Sequence, residues 1–174
     1  VVRFVATSAS RDVSNRDEFV DGIVSRLGIE PDVISGDEEA ALSFLGATAD
    51  FLNFEQPPTA PYLVVDIGGG STEFVLGKTK PTAAISTNVG CVRMTERHLV
   101  SDPATAEQIV AATADIDAAI DQAYLAVPIA EAKSLIGLAG SVTTVAALAL
   151  GLTEYDSEAI HGSRISANEV HRVT

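Results

Sequence analysis

Residues 62–77 read YLVVDIGGGSTEFVLG, two β-prone runs held apart by three consecutive glycines. Runs this close pair as antiparallel neighbours, and TAAISTNVG adds a third strand. A two-residue hairpin turn needs no more than two glycines. The third exceeds that need. Without Cβ atoms, successive backbone N–H groups can aim at one point and let an anion approach closely. Gly68, Gly69, Gly70 and Ser71 are therefore candidate phosphate ligands, with hydroxyls on Ser71 and Thr72 as further donors. Asp66 ends the first strand, where it would repel phosphate unless a divalent cation lay between them. Magnesium, an oxygen-ligand ion that retains waters, is the natural choice, and Glu73 could reach it from the second strand.

The run is neither of the two commonest phosphate loops. It lacks the Gly-Lys-Ser/Thr ending of a Walker A loop, and a strand pattern follows Gly70 where the dinucleotide fingerprint requires a helix. A glycine hairpin after a strand-end Asp resembles the phosphate-holding element of the sugar kinase, heat-shock ATPase and actin superfold.

The remaining chain alternates strands and helices, which makes the class α/β. VVRFVATSAS is a strand entering a polar loop. A helix follows in NRDEFVDGIVSRLG, with Asn15 as N-cap, Phe19, Ile23 and Leu27 on one face, and Gly28 as the stop. After the short strand EPDVIS, a helix over residues 36–52 carries Ala41, Phe44, Leu45, Thr48 and Leu52 on one face. EQPPTAP cannot continue a helix or a central strand, so it reads as a linker with a domain boundary at 57/58. Beyond it, Thr105 and Gln108 form a capping box for a long helix with Ile109, Ala112, Ile116, Ile120 and Ala123 as its stripe. Residues 135–152 hold eighteen residues without a charge, but their Ala-Gly-Ser break predicts a strand, a loop and a buried helix rather than a membrane span.

Three further stretches carry chemistry. In LIGLAGSVTTVAAL a strand meets a helix at Gly140 and Ser141, whose free N–H groups make a second phosphate-binding edge. In ISGDEEAALSFLG, Ser35 and Glu38 fit a capping box, which gives Glu39 no such structural job; it could face a cleft opposite the glycine hairpin and accept a proton from water. In ATSASRDVSN, Arg11 is a candidate phosphate fork, and Arg93 after NVGC is a weaker one. His98, His161 and His171 show no metal-ligand spacing.

Net charge is −13 with a pI near 4.4, which disfavours nucleic acid and anionic membranes as partners. One cysteine, Cys91, excludes an intrachain disulfide and fits a reducing, cytoplasmic setting. The chain opens directly on a strand and stops as a helix begins, so it reads as an internal piece of a longer protein.

In this order, ATSASRDVSN, SGDEEAALSFLG, VVDIGGGSTEFVLG, VGCVRMTE and GLAGSVTTVAAL resemble successive blocks of the exopolyphosphatase and guanosine pentaphosphate phosphohydrolase family. The resemblance implies an actin-like (ribonuclease H-like) two-domain fold, with mixed sheets flanked by helices and truncated at both ends. Residues 1–57 would be the C-terminal half of domain I and residues 58–174 the N-terminal part of domain II. It implies hydrolysis of the terminal phosphate of inorganic polyphosphate, of pppGpp, or of both, with Mg2+ or another divalent cation, room for K+, and a homodimer as one assembly. Carried over by position, Glu39 is the base that orients water, Asp66 and Glu73 the acids of the metal, and Gly68, Gly69, Gly70 and Ser71 the phosphate loop. Gly140 and Ser141 match a second loop that is usually Gly-Gly-Thr, with Ala139 replacing its first glycine. The family's glycine- and serine-rich first hairpin has no counterpart here, so these residues alone are not expected to be fully active.

Two other readings use the same hairpin. One is an actin-like ATPase or sugar kinase, against which the EEA helix argues. The other is a non-catalytic sensor of phosphate ligands.

Overall fold

The computed structural model describes residues 2–7, 10 and 13–174; the candidate Arg11 lies outside them. Strand β1 (Val5–Ala6) and strand β2 (Asp32–Val33) pair in parallel, with Val5 opposite Asp32, across helix α1 (Arg16–Leu27). Gly28 stops α1 at φ 67, a left-handed conformation suited to a residue without a Cβ, and its N–H donates to Val24 O. Asn15 precedes the helix as expected, but its side chain makes no capping bond.

Helix α2 (Gly36–Thr48) starts at Ser35, whose hydroxyl accepts from Glu38 N at 3.2 Å. The box is half made, because the Glu38 carboxylate pairs with Arg3 at 3.0 Å. The expected stripe is also displaced. Ala40 and Phe44 are fully buried, while Leu45 and Leu52 are exposed. The helix ends at Thr48, and a 3-10 turn (Phe51–Asn53) rotates the chain so that Phe51 goes inward, edge-on to Tyr62.

A four-stranded sheet follows, built from β3 (Tyr62–Ile67), β4 (Thr72–Gly77), β5 (Pro81–Thr87) and β6 (Ser134–Leu138) in the order β5-β4-β3-β6. The β3–β4 and β4–β5 pairs are antiparallel, and β6 joins β3 in parallel. Alternation along the strands gives the sheet two apolar faces. Val64 and Val75 point to one and form a cluster with Ala40 and Phe44 of α2. Leu63 and Leu76 point to the other and cluster with Val127, just past α4 (Ala106–Ala126). Helix α2 precedes the boundary expected at 57/58 and packs on the sheet that follows it.

Helix α3 (Cys91–His98) and α4 follow β5. The capping box of α4 is complete, with Gln108 N to Thr105 Oγ1 at 3.3 Å and Thr105 N to Gln108 Oε1 at 3.2 Å. Its buried residues are the small ones, Ala112, Ala119 and Ala123, whereas Ile109, Ile116 and Ile120 of the expected stripe stay partly exposed. The uncharged stretch divides as expected into β6 and helix α5 (Ala139–Ala149). However, α5 is not buried all round: Ala146 is, but Leu148 is about half exposed. Short helices α6 (Ser157–Ile160) and α7 (Ala167–Val173) lie against α5. Among the described residues no helix is long and apolar enough to cross a membrane.

Candidate functional site

The bend between β3 and β4 is closed by Gly68 N donating to Ser71 O at 3.0 Å. Behind it stands the start of α3. Cys91 N donates to Gly68 O and Arg93 N to Gly69 O, each at 3.0 Å, and Arg93 Nε donates to Gly70 O at 2.6 Å. Gly90 makes this close seat fit, because a Cβ there would lie 2.5 Å from Gly69 O and 2.7 Å from Gly68 O. In a planar trans peptide the C=O and the following N–H point in opposite directions. With three successive carbonyls drawn toward α3, the N–H groups of Gly69, Gly70 and Ser71 face away from it, on the bend's open side.

Beside the bend lies a cavity of about 520 Å³ lined by Gly68, Gly69, Cys91, Gly140, Ser141 and Thr144, among others. Gly140 and Ser141 sit in the first turn of α5, where backbone N–H groups have no intrahelical acceptor and Leu138 supplies no side-chain cap. A Cβ on Gly140 would meet nothing within 4 Å, so packing does not demand a glycine there. Ala139 adopts φ 70, a conformation that costs a residue with a Cβ about 1–2 kcal/mol. Gly68 and Gly69 of the first expected edge and Gly140 and Ser141 of the second thus border one cavity, which Gly70 and Ser71 do not line.

Acids gather at the same end of the sheet. Helix α2 runs antiparallel to β3: Ser43 meets Asp66 near the end of the strand, and Phe51, beyond the helix, meets Tyr62 at its start. Ser43 Oγ donates to Asp66 Oδ2 at 2.7 Å, and half-buried Glu39 sits one helical turn before Ser43. Asp66 and Glu73 are directly opposite across β3 and β4. Glu73 is only 2% exposed and accepts a bond from Ser86 Oγ at 2.6 Å, with the Ser71 hydroxyl as a second influence on its carboxyl. Burial raises its pKa above the ordinary glutamate range; the two serines oppose that, and the charges of Glu39 and Asp66 add to it.

A raised folded-state pKa favours the protonated carboxyl, so Glu73 stabilises the fold most at low pH and loses that contribution as pH rises. Glu73→Gln should thus gain on the wild type in denaturation midpoint as pH rises above the ordinary glutamate value of about 4.3. A difference that stays flat with pH would contradict this.

Not every expected donor faces the cavity. Thr72 Oγ1 donates to Val89 O at 2.7 Å, and the buried Ser71 side chain does not line the cavity. Arg93, read as a weak phosphate fork, has its Nε on Gly70 O instead. Ser43, Ser86 and Gly90 were missed. Helical i,i+4 spacing from Glu39 signals the first; a small residue at a loop-to-helix junction signals the last. His98 bonds Asp115 at 2.8 Å and His161 packs edge-on to Phe54, both ordinary structural roles.

Residues 1–174 match the model of the Ppx/GppA phosphatase family. The chain is 44% identical over 177 residues to "Exopolyphosphatase 2" of Mycobacterium tuberculosis, spanning 99% of this chain and 54% of that protein. It is 36% identical over 152 residues to the "Guanosine-5'-triphosphate,3'-diphosphate pyrophosphatase" of Photobacterium profundum, spanning 84% of this chain and 28% of that protein. The crystal structure of an exopolyphosphatase-like protein superposes with a TM-score of 0.93 at 51% identity, over 99% of this chain and 55% of that one. The chain thus spans about half the length of the exopolyphosphatases it resembles.

Proposed function

Because this chain belongs to the Ppx/GppA phosphatase family and has its actin-like α/β fold, we propose that the protein carrying it hydrolyses phosphoanhydrides, releasing the terminal phosphate of inorganic polyphosphate, of pppGpp, or of both. The observation that supports this reading is the tethered bend. Its three carbonyls are tied to α3, which turns the following amides to the opposite side, and Asp66, held by Ser43 of the Glu39 helix, lies at the same end of the sheet.

The N–H groups of Gly69, Gly70 and Ser71 bind oxygens of the terminal phosphoryl group, and Gly140 and Ser141 bind the next phosphate from across the cavity. Glu39 holds a water and takes its proton as the water attacks. Fixed amides stabilise the negative charge on the phosphoryl oxygens without reorganising. No side chain here need form a covalent phosphoenzyme.

Among the described residues no three acids, histidines or cysteines converge as a metal cage. That still suits magnesium, which typically takes one or two carboxylates and completes its shell with substrate phosphates and waters. Asp66 fits as such a carboxylate, whereas buried Glu73, already bonded to Ser86, supports the bend instead. When bound, the ion would neutralise charge between Asp66 and the phosphates. At net charge −13 the chain repels polyanions at long range, so capture depends on these local amides and the cation. That charge also disfavours nucleic acid and anionic membranes, and the composition suits the cytoplasm.

Family membership favours a hydrolase over a sugar kinase or a passive sensor. Phosphate release by the full-length protein from long-chain polyphosphate and from pppGpp, side by side and with magnesium or chelator, tests the proposal. Release from at least one substrate, lost on chelation, is expected; none from either would refute it.

A further inference from the structure

Two of the bend's three tethers are backbone bonds that survive any change of side chain: Cys91 N to Gly68 O and Arg93 N to Gly69 O. The third is different. Gly70 O is held by Arg93 Nε at 2.6 Å, and its peptide carries the Ser71 N–H. We infer that Arg93 is a positioning residue: it fixes the direction of the Ser71 N–H toward the anion by anchoring the Gly70 carbonyl, and it does not touch phosphate itself.

The chemistry of the peptide makes the anchor necessary. A glycine precedes this peptide bond, so little steric resistance opposes its rotation. The Ser71 side chain lies on the other side of the bond and does not hold the Gly70 carbonyl. If the Gly70 carbonyl swung outward, the site would lose a donor and gain an oxygen facing an anion. A charge-assisted bond from a guanidinium opposes that rotation more strongly than a neutral donor would. Gly90 keeps α3 close enough for the guanidinium to reach.

This inference rests on the hydrolase reading, and its test separates the two. In the full-length protein, Arg93→Ala should lower kcat/KM for tripolyphosphate by about 10- to 100-fold, the scale of losing one oxyanion donor. KM should rise, which a smaller fraction of folded enzyme would not cause. Free guanidinium should restore part of the loss. Arg93→Lys keeps the stem and the charge but not the fixed Nε geometry, so it should recover less than half. Full activity in Arg93→Lys, or an unchanged KM in Arg93→Ala, would overturn the inference while leaving the hydrolase reading intact. If the wild type releases no phosphate, the hydrolase reading fails and the crystal structure of Arg93→Lys decides this one. A Gly70 carbonyl turned away from α3 supports it, and one still pointing at α3 overturns it.

Discussion

Replacing Glu39 with Gln in the full-length protein should lower kcat for phosphate release by about 100- to 10,000-fold, the range for losing a general base. KM for polyphosphate should stay within a few-fold. Glutamine matches glutamate in shape and can still hold a water, but it cannot take a proton from it. The structure separates Glu39 from the neighbouring acids of its helix. Glu38 is paired with Arg3, and Asp37 is exposed, whereas Glu39 is half-buried and near enough for its charge to act on Glu73. Asp37→Asn is therefore the control and should leave turnover near wild type. Turnover within about tenfold of wild type in Glu39→Gln would remove Glu39 from the role.

The second large effect is on stability. Phe44→Ala should cost about 3–5 kcal/mol, the range for deleting a buried aromatic ring. Domain stabilities run about 5–15 kcal/mol, so this is a large fraction of the total. The ring is 0% exposed and packs in one cluster with Val64 and Val75. Gly77 is fitted to it, since a Cβ there would lie 2.7 Å from Phe44 Cζ and 2.3 Å from Lys80 O. Denaturant midpoints of the wild type, Phe44→Leu and Phe44→Ala should fall in that order. A loss below about 1 kcal/mol in Phe44→Ala would mean that α2 is not seated on the sheet.

Short-range signals were legible in the sequence. The antiparallel pair around the glycines, the Thr105–Gln108 capping box, the Gly28 stop and the division of residues 135–152 all depend on neighbours a few positions away. The buried helix faces were legible only in part. Phe44 of α2 and Ala112 and Ala123 of α4 lie inside as expected, but Leu45, Ile109 and Ile116 of the same stripes do not, and the alanines Ala40 and Ala119 are buried in addition. Small side chains let a helix approach a sheet, and hydrophobicity ranks them low. Six apolar residues and a proline-rich linker likewise could not reveal that α2 folds back over β3.

The candidate site was readable as residue types but not as directions. Gly68–Ser71, Glu39 and Asp66 stand out by spacing and charge. Which way the amides face depends on Cys91, Arg93 and Gly90, about twenty residues downstream, and no local pattern encodes that pairing.

Seating α2 on the sheet ties the two acids together. Glu39 and Asp66 lie on elements joined through the Ser43–Asp66 bond and the Phe44 cluster, so loosening either join should move the base relative to the bend. The proline run at 57–61 spans two elements that already share a core, so its length sets how the chain crosses the sheet rather than whether the acids meet.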